Sequence, residues 1–286
     1  MNNAIEIKNL TKEYSGFKLD NISTKIPKGI IVGLIGENGA GKTTLIKSIL
    51  NIIKPTKGAI NIFDKDYIKD ESVIKEEIGV VLDEIFFPKI LNANDINTSM
   101  KSIYKNWDSN LFYDLLKEFD IPTDKQIKEL SKGMNKKLEI IAALSHKPKL
   151  LILDEPTSGL DPVVRNEVLD IFLDFVQDPE HTILLSTHIT SDLEHIADKI
   201  IFIDNGKILM DDSRDNILDN YGILKCGTND FKNIAKEDIV SYKKNKYDYQ
   251  ILVKGRDKAK KKYKDYVVDK ITLEELMVLI IKGSDE

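Results

Sequence analysis

A chain of 286 residues with 42 Lys and Arg against 47 Asp and Glu has a formal net charge of −5, so its composition carries no polyelectrolyte footprint and no nucleic-acid partner is expected. The single cysteine, Cys226, excludes an intrachain disulfide framework and a thiolate metal cluster, and it fits a reducing compartment. Met1 to Glu6 lack the basic and apolar regions of a secretory signal, and the longest apolar runs fall far short of the roughly 18 residues that span a bilayer. The expectation is a protein that stays inside the cell and reaches a membrane only through a partner.

Residues 4 to 10 alternate, as do Leu19 to Ile26 before the turn Pro27-Lys28-Gly29, which predicts two antiparallel strands with Tyr14 on a loop between them. Ile30 to Ile35 is a buried-strand pattern. It runs into Gly36-Glu37-Asn38-Gly39-Ala40-Gly41-Lys42-Thr43-Thr44 and then the helical spacing of Leu45, Ile46, Ile49 and Leu50. A glycine loop between strand and helix is a phosphate cradle. Small residues at Gly36, Gly39, Ala40 and Gly41 let backbone N–H groups turn towards one anion at the positive end of a helix. Lys42 is placed for the β and γ phosphates of a nucleoside triphosphate and the Thr43 hydroxyl for Mg²⁺.

Further on, Ala59 to Phe63 and Ile78 to Leu82 are expected strands, the second ending at Asp83-Glu84. From about Asn92 to Glu129 strand signals vanish, and Leu111, Leu115, Leu116 and Phe119 predict an inserted helical lobe with Trp107 in its core. Leu130-Ser131-Lys132-Gly133-Met134 precedes an amphipathic helix that Ser131 is placed to cap. The apolar run Leu150 to Leu153 delivers Asp154-Glu155 at its carboxyl end, as a strand buried on both faces of a parallel sheet does. A helix over 162–176, a strand over 182–186 leading to Thr187-His188, and strands near 199–203 and 207–210 close this unit. Beyond about residue 215 come short alternating pieces, the basic run Lys258 to Lys264, expected as a solvated face, and a last helix near 273–281. Hydrolysis of a γ-phosphate needs a cradle, a hard cation and an oriented water. Asp154 can hold the cation, and Glu155 can face the water as general base.

Five features in this order resemble the ATPase subunits of ATP-binding cassette (ABC) transporters. They are the loop Gly36 to Thr43, Leu130-Ser131-Lys132-Gly133-Met134, the strand ending in Asp154-Glu155-Pro156, Ser158-Gly159-Leu160-Asp161, and His188. The resemblance covers residues 1 to about 210. It implies a cassette that dimerises head to tail, each ATP lying between the cradle of one subunit (Gly36, Asn38, Gly39, Ala40, Gly41, Lys42, Thr43, Thr44) and the signature of the other (Ser131, Lys132, Gly133, Met134). It further implies Tyr14 stacked on adenine, Glu155 as base, His188 sensing the γ-phosphate, Asp161 linking the two sites, and Mg²⁺ held by Thr43, Asp154 and Asp83.

Two departures stand out. Lys132 and Met134 replace the usual Gly and Gln of the signature, and Asp83 stands where a glutamine is usual. This combination resembles a subgroup of ABC-2 type exporter ATPases of Gram-positive bacteria that serve peptide or antibiotic export, including the phenol-soluble modulin type. The expected fold is α/β: a P-loop core with a mostly parallel sheet, an antiparallel β subdomain, an inserted helical subdomain (about 92–148) and a small α+β appendage. The expected domains are 1–214 and 215–286. The expected partners are a second cassette, identical or not, and polytopic membrane permease subunits, with the chain peripheral on the cytoplasmic face. Two other readings compete: a weakly hydrolysing regulatory cassette, suggested by Lys132, Met134 and Asp83, and a soluble cassette acting on DNA or the ribosome.

Overall fold

The computed structural model describes residues 3–83 and 87–283, so Glu84 and Phe86 lie outside the described residues. Strands β1 (Asn3–Tyr14) and β2 (Phe17–Pro27) form an antiparallel hairpin joined by Ser15-Gly16. Alternation alone ends the first strand at Leu10 and leaves Tyr14 on a loop. Tyr14 is in fact the last residue of β1, paired with Phe17. Register irregularities on either side of Leu10 break the two-residue period by which a strand is read.

Strand β3 (Ile31–Ile35), buried throughout, leads through the glycine loop into α1 (Lys42–Ile49). β4 (Lys57–Ile62) and β5 (Lys65–Asp66) complete a four-stranded sheet in the order β2-β1-β4-β5. α2 (Glu71–Glu77), absent from the sequence reading, buries only Ile74, too little apolar periodicity to be legible. β6 (Ile78–Val81) follows.

The helical lobe is built from α3 (Ala93–Ile103), α4 (Ser109–Glu118) and α5 (Lys132–Leu144). Each starts on a side-chain cap. Asn92 and Asp95 form a reciprocal box, Asp108 accepts from the Asn110 and Leu111 N–H groups, and Ser131 accepts from that of Met134 at 3.2 Å. Ile96, Phe112, Leu116, Leu138 and Ile141 are buried at the lobe core, and Trp107 and Met134 pack against it.

β7 (Leu150–Asp154), α6 (Pro162–Phe175), β8 (Thr182–Ser186), α7 (Thr190–Ile196), β9 (Lys199–Asp204) and β10 (Lys207–Ser213) come next. They extend a six-stranded sheet, β10-β9-β3-β8-β7-β6, in which β3, β8, β7 and β6 are parallel neighbours. β7 and β8 are buried at every position, which explains the apolar runs Leu150–Leu153 and Ile183–Leu185 within them. The register pairs Ile31 with Ile183, Asp154 with Ser186 and Val81 with Leu153. Gly36, Asp83, Glu155 and Thr187 therefore all leave the sheet at its carboxyl end, where open α/β sheets bind ligands.

The remaining elements are α8 (Arg214–Asn220), β11 (Tyr221–Gly227), β12 (Ile239–Lys244), β13 (Asp248–Lys254), α9 (Arg256–Lys262), β14 (Val267–Lys270) and α10 (Leu273–Lys282). Their antiparallel sheet, β12-β13-β11-β14, buries Cys226 with Leu224, Ile251 and Val253. The basic run is the exposed side of α9, with Lys258, Lys260, Lys261 and Lys262 in solvent. The chain packs as two compact units, Met1–Ile189 with Ile201–Asp211, and Thr190–Ile200 with Asp212–Glu286. Within the second, α10 lies beside α7, and the Leu273 N–H donates to Glu194 Oε1 at 2.5 Å.

Candidate functional site

The loop between Ile35 and Lys42 passes through left-handed backbone at Gly39 (φ 85°) and Gly41 (φ 113°), conformations that glycine adopts without a Cβ penalty. At Gly36 the constraint is space: a Cβ would lie 2.3 Å from the Ile203 carbonyl oxygen. Gly36→Ala is therefore expected to destabilise the protein by about 1–3 kcal/mol, the overpacking range, seen as a fall in Tm. An unchanged Tm would show that Ile203 yields freely. A Cβ at Gly41 would meet Leu19 and Phe17 side chains at 2.8 and 2.9 Å, so the β1–β2 hairpin packs against the loop with Tyr14 at its end, 45% exposed.

Gly41 caps α1 without a side chain, and the first turn carries no acid. The first N–H groups of α1 are thus left for an acceptor from outside, which suits a phosphate. Glu37, Asn38 and Gly39 form the exposed crest of the loop, Ala40 is buried, and Thr43 is exposed with Thr44 half-buried in the first turn of α1. Lys42 is buried at 6% exposure. Its Nζ donates to the Gly36 carbonyl at 2.8 Å and the Glu37 carbonyl at 3.3 Å, and lies 3.8 Å from Glu155 Oε1. Burial pushes the Lys42 ammonium below the usual lysine range, opposed by the negative charges of Glu155 and Asp154.

Asp154 ends β7 with 2% exposure and accepts a short hydrogen bond from the Ser186 hydroxyl at the end of β8. Glu155 adopts φ 52°, a left-handed conformation that costs a non-glycine residue about 1–2 kcal/mol. Its N–H donates to the Ser186 carbonyl at 2.9 Å. Its carboxylate meets His188 Nδ1 at 2.7 Å and Lys42 at 3.8 Å, so one anion is shared by two potential cations. His188 is half-exposed.

The signature residues gather elsewhere. Ser131 caps α5, Met134 packs into the lobe, and a Cβ on Gly133 would stand 3.0 Å from Val164 Cγ1 of α6. Lys132 Nζ lies 2.3 Å from where a Cβ on Gly159 would be. Asp161 Oδ1 accepts from the Val163 and Val164 N–H groups at 3.1 and 3.2 Å, capping α6, with Pro162 opening it. The fold thus makes two groups, Lys42–Asp154–Glu155–His188 and Ser131–Lys132–Gly133–Asp161.

Sequence reasoning missed Ser186 and Ile203. Pairing the apolar runs 150–153 and 182–185 in register would have set Ser186 beside Asp154. Ile203 acts through a backbone carbonyl and leaves no signal in the sequence. For Mg²⁺, the exposed Thr43 hydroxyl and the Asp154 carboxylate are oxygen donors of the kind a hard cation takes. Among the described residues no three His, Cys, Asp or Glu side chains gather to hold a metal by themselves.

A parallel sheet whose strand feeds a glycine loop and a helix without a side-chain cap, with a buried lysine and a strand-end acid pair, defines a P-loop nucleoside triphosphatase. The family model described as ABC transporter matches residues 19–158, and one described as AAA domain, putative AbiEii toxin, Type IV TA system matches 126–191. The bacitracin transport ATP-binding protein of Bacillus licheniformis is 36% identical over 215 residues, covering 73% of this chain and 69% of that protein. The lantibiotic transport ATP-binding protein of Streptococcus pyogenes is 36% identical over 214 residues, covering 74% and 91%. A solved ATP-binding subunit of an ABC transporter is 27% identical with a TM-score of 0.69, covering 75% of this chain and 91% of its own. The chain belongs to the ATP-binding subunits of ABC transporters, a family of ATPases. No helix among the described residues is long and apolar enough to cross a membrane.

Proposed function

We propose that the chain hydrolyses Mg-ATP as one half of a cassette dimer, peripheral on the cytoplasmic face of the membrane. That work powers export of an amphipathic or antimicrobial peptide or drug through separate membrane subunits. The observation that carries this is the convergence of Lys42, Glu155 and His188 at the end of the parallel sheet. The bacitracin and lantibiotic transport relatives support the substrate class.

In this reading the loop N–H groups and Lys42 bind the phosphates, Tyr14 stacks on adenine, and Thr43, Asp154 and Asp83 hold Mg²⁺. When bound, that ion neutralises phosphate charge. Glu155 takes the proton of the attacking water, and His188 turns to the γ-phosphate. Ser131 and Gly133 serve the nucleotide of the second copy, and Asp161 links the two sites. Residues 1–214 act as the ATPase domain, with 215–286 as an appendage.

A cavity of about 660 Å³ lined by Ile52, Val80, Leu82, Phe87, Met100 and Ile103 is suited to a helix of the membrane subunit. Lys136 Nζ donates to the Leu82 carbonyl at 3.1 Å and pairs with Glu139 at 3.1 Å, both side chains buried. This ties the chain just before Asp83 to α5, a route from the cavity to the signature. Excess EDTA is expected to reduce turnover to background and Mg²⁺ to restore it. At low protein concentration turnover should rise with the square of concentration. A first-order dependence down to the nanomolar range would overturn the half-site reading.

A further inference from the structure

Strand β8 is apolar at Ile183, Leu184 and Leu185 and then places a hydroxyl at its last residue, Ser186, which is 0% exposed. A hydroxyl buried that deeply needs a partner. The parallel register sets Ser186 between Leu34 of β3, the strand that runs into the glycine loop, and Asp154 of β7, the strand that delivers the acid pair. Ser186 holds both acids, in different ways. Its hydroxyl donates to Asp154 Oδ1, and its backbone carbonyl accepts from the Glu155 N–H at 2.9 Å. The first contact needs the serine side chain, whereas any residue at 186 could supply the second.

Resting on the reading that Asp154 holds Mg²⁺, we propose that Ser186 is a positioning residue for the cation site, acting through the Asp154 carboxylate. Asp154 is 2% exposed, so water does little to orient it. A donor on Oδ1 sets the plane of the carboxylate, and with it the direction in which Oδ2 faces. It also favours the ionised form, the one a hard cation takes. Lys42, whose Nζ donates to the Gly36 and Glu37 carbonyls and pairs with Glu155, acts on Asp154 through charge and sets no direction.

The test is equilibrium binding of the β,γ-imido analogue of ATP to the full chain, once with Mg²⁺ and once in EDTA. Ser186→Ala is expected to raise the Kd with Mg²⁺ by about 10-fold, the low end for losing the partner of a metal-holding group, and to leave the Kd in EDTA unchanged. The EDTA value also reports a folded cradle. A rise in both Kd values together would show a merely structural serine and overturn the proposal. Ser186→Thr, which keeps a hydroxyl, should recover most of the affinity with Mg²⁺.

Asp154→Asn separates this role from the reading beneath it. In that background Ser186→Ala should add little, because the two residues act as one unit. Wild-type affinity with Mg²⁺ in Ser186→Ala, while Asp154→Asn loses it, would overturn the positioning role alone. Unchanged affinity in both variants would refute Asp154 as a Mg²⁺ ligand, and the role of Ser186 with it.

Discussion

Glu155→Gln is expected to lower steady-state ATP hydrolysis by about 10²–10⁴-fold, the range for loss of a general base, while an ATP-bound dimer accumulates. The reason lies in how the carboxylate is held. The Glu155 carboxylate lies 2.7 Å from His188 Nδ1 and 3.8 Å from Lys42 Nζ. In the proposed mechanism the γ-phosphate competes with Glu155 for Lys42 and His188. On that reading, triphosphate that draws off Lys42 and His188 leaves the Glu155 carboxylate free to accept a proton from water. The glutamine amide carries no charge and holds neither Lys42 nor His188 as firmly, so ATP affinity should rise as hydrolysis falls. Phosphate release and equilibrium ATP binding measure the two effects separately. Wild-type turnover would remove Glu155 from the role of base, and weaker ATP binding would refute the competition.

Lys42→Ala carries the second large effect. It should raise the Kd for ATP by roughly 10- to 150-fold, from the ~1.5–3 kcal/mol of a charged hydrogen bond, as read by calorimetry. Stability is expected to change little. The substitution removes the Lys42 donor from the Gly36 carbonyl, while the Glu37 carbonyl still accepts from the Ala40 N–H at 3.1 Å, and it also removes an ammonium whose burial already works against its charge. A variant that binds ATP at wild-type affinity would exclude Lys42 as a phosphate ligand. A large fall in Tm would mean that its role in this loop is mainly structural.

Much of the core was legible because its signals are local. The glycine loop, the apolar run before Asp154 and the Ser131 cap each state their geometry within a few residues. Where local signals fade, so did the reading. β1 runs on to Tyr14 through irregular register, α2 has one buried residue, and the lysine run became a helix whose buried positions are Arg256 and Ala259.

What the chain order alone determined is the inventory: a strand, a phosphate loop, a lobe, an acid pair and a histidine, in an order that one family shares. What only the tertiary structure decided is who meets whom. Parallel register brings Ser186 to Asp154, a left-handed Glu155 turns its carboxylate between Lys42 and His188, and the missing side chain of Gly159 makes room for Lys132. These are contacts between residues far apart in the chain, set by strand pairing and close packing, and no periodicity or spacing within a segment encodes them.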